Sequence, residues 1–177
     1  MKNNLTSLLL LVFLLAACTP TQPAPTEFLP PLPTEPEGFT DPDPATWVML
    51  MPAVREYFFI RKHAFIAGDA QLLWDRYPGL QNGTDLSRGI NAEEFYITNM
   101  QGLKPFDGNI FPEYYEKLRV KLEGEQAQVL VHGMELYLWK DESGKFDDSG
   151  GEFKIILFLQ QEGSGWTVIR TQDISGP

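Results

Sequence analysis

Arg61 is the residue whose position most demands a chemical explanation. At about 100° per residue, Val54, Tyr57, Phe58, Ala64 and Phe65 share one face of a helix, and Arg61 falls in the middle of that stripe. A buried guanidinium needs a carboxylate or an anionic ligand, because an unpaired buried charge is very costly. Either Arg61 meets an internal acid such as Asp75 or Glu135, or snorkels to solvent, or it faces an anionic ligand in a pocket. His132 shares a strand face with Leu130, Met134, Leu136 and Leu138. A histidine so placed is a hydrogen-bonded core or pocket residue, or an acid–base catalyst. The strand carboxylates suit the second role poorly: Glu135 lies on the opposite face and Asp173 near the chain end. His63 falls on the polar side of its helix. Trp47, Tyr57, Trp74, Tyr137, Trp139 and Trp166 could line a pocket, though aromatics at these spacings also build cores. The ligand-pocket candidates are therefore Arg61, Tyr57, Trp74 and His132, and no set of residues makes a catalytic pair.

Two histidines without clustered acids offer no metal site, and the chain has neither a glycine-rich phosphate loop nor a nucleophile elbow, so no cofactor is expected. Asp141, Glu142, Asp147 and Asp148 lack the full calcium-loop pattern and read as a solvated hairpin loop. The formal net charge is -10 over 177 residues, and becomes one unit more negative if Lys2 is lost with a leader. Such a surface repels phosphate backbones and anionic headgroups, which argues against a nucleic-acid partner and against membrane attachment by a basic patch. The single cysteine, Cys18, leaves the rest of the chain without a disulfide or a thiolate metal site.

Cys18 has its own context. Met1-Lys2-Asn3-Asn4 is a short basic start, and Leu8 to Leu15 is an apolar run too short to span a bilayer but of signal-peptide length. Leu15-Ala16-Ala17-Cys18 follows and resembles the bacterial lipobox. That resemblance implies that residues 1–17 are a leader, that the Cys18 thiol receives diacylglycerol, and that cleavage before Cys18 frees an amine for acylation. The alternative is an ordinary secretory signal with Cys18 incidental. Two or more acyl chains hold a protein stably at a bilayer, each buried CH₂ contributing about 0.8 kcal/mol. Thr19, where an aspartate would favour inner-membrane retention, leans the expectation from a cell membrane in general towards an outer membrane. Residues 18–44 carry nine of the 14 prolines and five acids without a Lys or Arg. They read as an extended spacer of at most ~80 Å at about 3.1 Å per residue, with a docking peptide as the lesser alternative.

Behind the tether, roughly 130 residues make one domain by the usual size prior, bounded at 45–177. The pattern predicts a first helix with Pro52 in its opening turn and Gly68 at its end, and a second, short one through Leu72, Leu73 and Trp74. A third opens on the capping-box-like pair Asn91 and Glu94 and ends at Gly102. After about Pro112 the period changes to two, predicting strands at Tyr115–Leu122, Gln128–Trp139, Phe153–Gln161 and Trp166–Ile174. Helices first and a meander afterwards make an α+β domain, with helices packed on an antiparallel sheet of about four strands.

Ala67-Gly68-Asp69, the short helix with Leu72, Leu73 and Trp74, and the closing Gly165-Trp166-Thr167-Val168-Ile169-Arg170 together resemble the nuclear-transport-factor-2-like superfamily over residues 46–175. The resemblance implies a curved, cone-like sheet around a long helix, often with an apolar pocket, and frequent dimerisation through the open sheet face. Val129 to Trp139 would suit that homodimer, although a core face explains it equally. Two features depart from the pattern: no strand is evident between the second and third helices, and Leu103–Tyr114 reads as extra loop. The leading expectation is a non-catalytic domain, tethered to the membrane through lipid on Cys18, that binds a small ligand or an envelope protein. The alternatives are a pocket enzyme of the isomerase, dehydratase or cyclase kind and a structural module without ligand. A carboxylate within reach of His132 in a pocket would favour the enzyme; a pocket filled by aromatics would count against it.

Overall fold

The computed structural model describes residues 36–111 and 117–175. The leader, Cys18 and the tether as far as residue 35 lie outside the described residues, as do 112–116 of the region expected to hold a loop and the start of a strand.

Asp43 and Pro44 start the first helix, α1 (Pro44–Ala67). The Asp43 carboxylate accepts from the backbone N–H groups of Ala45 at 2.8 Å and Thr46 at 3.0 Å. Proline at the first helical position loses nothing, since its N–H would lack an intrahelical partner anyway. The expectation that Pro52 opens the helix is thus corrected: Pro52 lies inside it, because a better cap, Asp43, stands nine residues upstream and Thr46, Leu50 and Met51 bury the added turns. Gly68 ends the helix as predicted, at φ +67°. The spacer reading also stops short of residue 44. Thr40 exchanges backbone hydrogen bonds with Val120 at 2.8 and 3.0 Å, and Asp41 pairs with Arg119.

A short helix, α2 (Gln71–Arg76), and two 3-10 turns at Pro78–Gln81 and Leu86–Arg88 lead to α3 (Glu93–Met100). Asn91 does not cap α3; Ala92 holds that position. The Asn91 side chain instead accepts from the Thr171 N–H at 2.9 Å and donates to the Asn82 carbonyl at 2.6 Å, so a tertiary demand overrides the local motif.

Among the described residues the sheet has five strands, β1 (Asp107–Phe111), β2 (Lys117–Glu123), β3 (Gln126–Lys140), β4 (Phe146–Glu162) and β5 (Gly165–Asp173), all antiparallel to their neighbours. β3 is the axis. β1 and β2 lie end to end along one side of it, β4 covers its whole length on the other, and β5 lies beyond the second half of β4. β1 fell in the predicted loop because Asp107-Gly108-Asn109 are poor strand formers; pairing with Leu136, Tyr137 and Leu138 makes the strand. β4 starts seven residues before the predicted Phe153 for the same reason, its opening residues Asp147 to Gly151 having turn chemistry. The turn between β3 and β4 is held by Asp141, which accepts from the backbone N–H groups of Ser143 and Lys145, each at 2.9 Å.

The sheet curls around α1 to enclose one core. α1 contributes Val54, Tyr57, Phe58 and Phe65; the sheet contributes Val129, Val131, Tyr137, Phe153, Leu157 and Val168. The domain is an α+β cone: its helices stand ahead of the sheet in the chain, as the pattern predicts, and its curvature is the one the resemblance implies.

Candidate functional site

Arg61 projects from the middle of the buried face of α1 and is only 4 % exposed. Its Nη1 donates to Glu135 Oε2 at 3.0 Å. The alternation along β3 that sets Glu135 opposite His132 is what turns it towards the helix. The guanidinium also lies 4.8 Å from the Phe65 ring centre and 5.8 Å from that of Phe153. Burial by itself would lower its pKa, but Glu135, then Tyr57, Tyr137 and Glu93, hold it above the usual arginine value. Of the readings the sequence left open, the internal acid holds for Arg61, and it is Glu135, not Asp75.

One turn earlier on α1, Tyr57 is completely buried and donates to Glu93 Oε1 at 2.8 Å. The Thr171 hydroxyl donates to that same oxygen. Glu93, 4 % exposed, thus joins α3, α1 and β5. Sequence reasoning missed it: it singled out Glu94 as a capping partner and passed over its neighbour. The usable signal was that Glu93 and Ile97 stand four residues apart on one face of α3, the face that is buried.

Beside these groups lies a cavity of about 10 Å³ lined chiefly by Arg61, Glu93, Tyr96, Ile155, Thr171 and Asp173. That is room for about one water molecule. Among the described residues Arg61 Nε and Glu93 Oε2 are buried without a hydrogen-bond partner, one a donor and the other an acceptor. Aromatic rings fill the neighbouring interior. Tyr57 meets Phe58 edge-on at 5.0 Å, Phe58 meets Phe153 at 5.3 Å, and Phe65 stacks on Tyr137 at 5.6 Å.

The structure therefore brings Arg61 and Tyr57 together and places the other two candidates elsewhere. Trp74 on α2 is partly buried against the core. His132 lies on the outer face of the sheet, with Nε2 3.0 Å from Glu152 Oε2, so the histidine–carboxylate contact exists but on the side away from α1. On that face Arg170 stacks over the Phe158 ring, 3.6 Å from its centre, beside a hollow of about 370 Å³ bordered by Lys121, Gln126, Gln128 and Ile169. Among the described residues no group of three or more His, Cys, Asp or Glu could hold a metal ion, and no helix is long and apolar enough to cross a membrane.

Burial raises the pKa of Tyr57, Tyr77 and Tyr137 above the ordinary value near 10, with Glu93, Glu56 and Glu135 adding to it respectively. A raised folded-state pKa means that folding favours the protonated phenol. The stability it contributes is complete below pH 10 and is lost as pH climbs towards the folded values. In an alkaline titration these three should stay silent in phenolate absorbance as pH passes 10 and ionise together with loss of tryptophan fluorescence. Independent ionisation of all six tyrosines near 10 would contradict the burial described here.

No protein-family model matches the chain, and no curated protein matches it. Two solved structures are similar to it in part. One is a protein from Xanthomonas campestris described as a calcium/calmodulin-dependent protein kinase II association domain: 17% identity, TM-score 0.40, covering 70% of this chain and 86% of that one. The other is the intermembrane-space region of the chloroplast protein ARC6: 15% identity, TM-score 0.42, covering 71% and 93% respectively.

Proposed function

We propose that this protein is a non-catalytic binding module, held at an envelope membrane by lipid on Cys18, that meets a protein partner through its surface and does not enclose a small ligand. The observation that carries this reading is the state of the interior. The Arg61 charge is met by Glu135, Tyr57 and Thr171 are both spent on Glu93, and the space beside them is about 10 Å³. Small-molecule sites commonly need about 300 Å³ or more. The aromatic filling of the cone counts against the isomerase or cyclase alternative. His132 with Glu152 also stands apart from the polar cluster, so the acid–base pair and the enclosed polar groups do not serve one site. The outer side carries the features of a contact surface: Leu136 and Ile169 are each about two-fifths exposed, and the 370 Å³ hollow lies among charged side chains.

Native mass spectrometry of the full chain extracted from its own membrane tests the reading. The expected species is the lipidated chain, alone or with a second polypeptide. A stoichiometric small-molecule adduct that survives removal of the detergent would overturn it in favour of an enclosed ligand.

A further inference from the structure

β4 is longer than the strand beyond it. Its pairing with β5 begins at Ile155, opposite Asp173, while its pairing with β3 continues back to Phe146. The hairpin of β3 and β4 therefore extends past β5 as a wing. Among the described residues no strand pairs with the far side of Phe146–Gly151.

The direction of the backbone groups on that side follows from one anchor point. Lys154 gives its carbonyl to the Ile174 N–H at 2.8 Å and its N–H to Ser175 Oγ at 2.9 Å, so both its backbone groups point away from β3. The β3–β4 register runs without a shift from Gln126↔Gln160 to Lys140↔Phe146. Backbone direction alternates residue by residue in a strand, so Gly150, Asp148 and Phe146 point their groups outward as well. The Asp148 N–H is met at 2.9 Å by the Asp147 carboxylate. Among the described residues no other strand or loop takes the N–H and C=O of Phe146 and Gly150 or the C=O of Asp148, which leaves a short ladder. An edge of this kind is a template for another strand. The comparable edge of β5 is closed: Gly89 and Asn91 take hydrogen bonds from or give them to Asp173 and Thr171.

Side chains along the wing decide what can pair there. Asp147 lies on the concave side of the strand and Asp148 on the convex side, by the same alternation that turns Phe153 and Ile155 into the core. Both are exposed. The wing's lysines stand at its tip, Lys140 over the Phe146 ring at 5.0 Å and Lys145 in the turn. Nothing lies within 4 Å of where a Cβ on Gly151 would be, so an incoming side chain has room there. Phe146, 65% exposed and in ring contact with Phe106 at 5.8 Å, offers an apolar end stop. A second copy of this wing fits badly, because self-pairing would gather Asp147 and Asp148 of both chains on one short ribbon.

We propose that the open edge of β4 over Phe146–Gly151 takes an extended, basic segment of a partner protein as an added antiparallel or parallel strand, its lysines or arginines meeting Asp147 on one side and Asp148 on the other. This rests on the reading of the domain as a protein-binding module. Backbone hydrogen bonds supply the docking, and the two aspartates, alternating across the sheet, select a segment that is basic on both faces.

Binding to the full chain in detergent is read by fluorescence anisotropy with a short labelled peptide of lysine–lysine–valine–valine repeats. Three results are expected: saturable binding that weakens with salt, loss of at least about tenfold in affinity for the same peptide N-methylated at alternate amides, and a similar loss in the double variant D147N/D148N. Equal binding of the N-methylated peptide would reduce the contact to charge alone and overturn the proposal, as would unchanged binding to the double variant or no binding at all. Self-association of the chain that D147N/D148N strengthens, without peptide binding, would give the edge to a second copy and overturn it too. Photo-crosslinkers placed at position 146 and at position 169 in intact cells separate the two readings. Adducts at 169 only would leave the binding module standing and refute the edge; adducts at neither would refute the module itself; an adduct at 146 supports both.

Discussion

Replacing Glu135 by Ala should cost about 3–5 kcal/mol of folding stability, the usual consequence of stripping a buried charge of its partner. Domains of this size hold roughly 5–15 kcal/mol in total, so the variant should unfold at a clearly lower urea midpoint with little change in slope. The size of the effect comes from an asymmetry of exposure. The Arg61 side chain is 4% exposed and that of Glu135 24%. Without Glu135 the guanidinium keeps its rings, Phe65 and Phe153, but has no carboxylate within hydrogen-bond reach. Without Arg61 the glutamate can still turn to water. Arg61→Met, which refills most of the volume with apolar atoms, should therefore cost less than half as much as Glu135→Ala. In the Glu135→Ala background the same Arg61→Met change should restore stability. Equal and small costs for the two single changes would mean that Arg61 reaches solvent on its own, and the closed interior on which the proposed function stands would have to be abandoned.

Cys18→Ser should turn a membrane-bound protein into a soluble or unprocessed one. Acyl chains on that sulfur would supply the whole attachment, since no basic patch is available on a chain of net charge -10. Fractionation after carbonate washing, with intact mass of the recovered chain, reads the outcome. The native chain should begin at residue 18 and carry lipid mass; the variant should lack lipid and retain residues 1–17 or be released. Membrane association and processing that survive the change would show that the address was misread. The expected shift is close to complete, because one acyl chain is marginal and a bare serine has none.

How far the fold could be foreseen depended on whether each cue was local. The stripe Val54, Tyr57, Phe58, Ala64 and Phe65 marked the buried face of α1, and Gly68 marked its end, because helical periodicity and a left-handed cap are properties of neighbouring residues. β2, β3 and β5 were legible from alternation for the same reason. β1 and the first half of β4 were not. Asp107-Gly108-Asn109 and Asp147 to Gly151 are turn-forming by composition, and only the long ladder of β3 beside them makes them strands. Asn91 failed as a cap because Thr171, distant in sequence, holds its side chain.

The candidate site divides in the same way. From the chain alone came an arginine on an apolar stripe, a short list of acids for it, and the placement of Glu135 and His132 on opposite strand faces. The leader, Cys18 and the tether as far as residue 35 stand on the sequence only. Which acid Arg61 meets, and that Glu93 gathers Tyr57 and Thr171, was decided by contacts spanning 74, 36 and 78 residues. A one-dimensional pattern tells which way a side chain points from its own helix or strand. Where that side chain lands depends on how distant elements pack around it, and those distances exist only once the sheet has closed around α1.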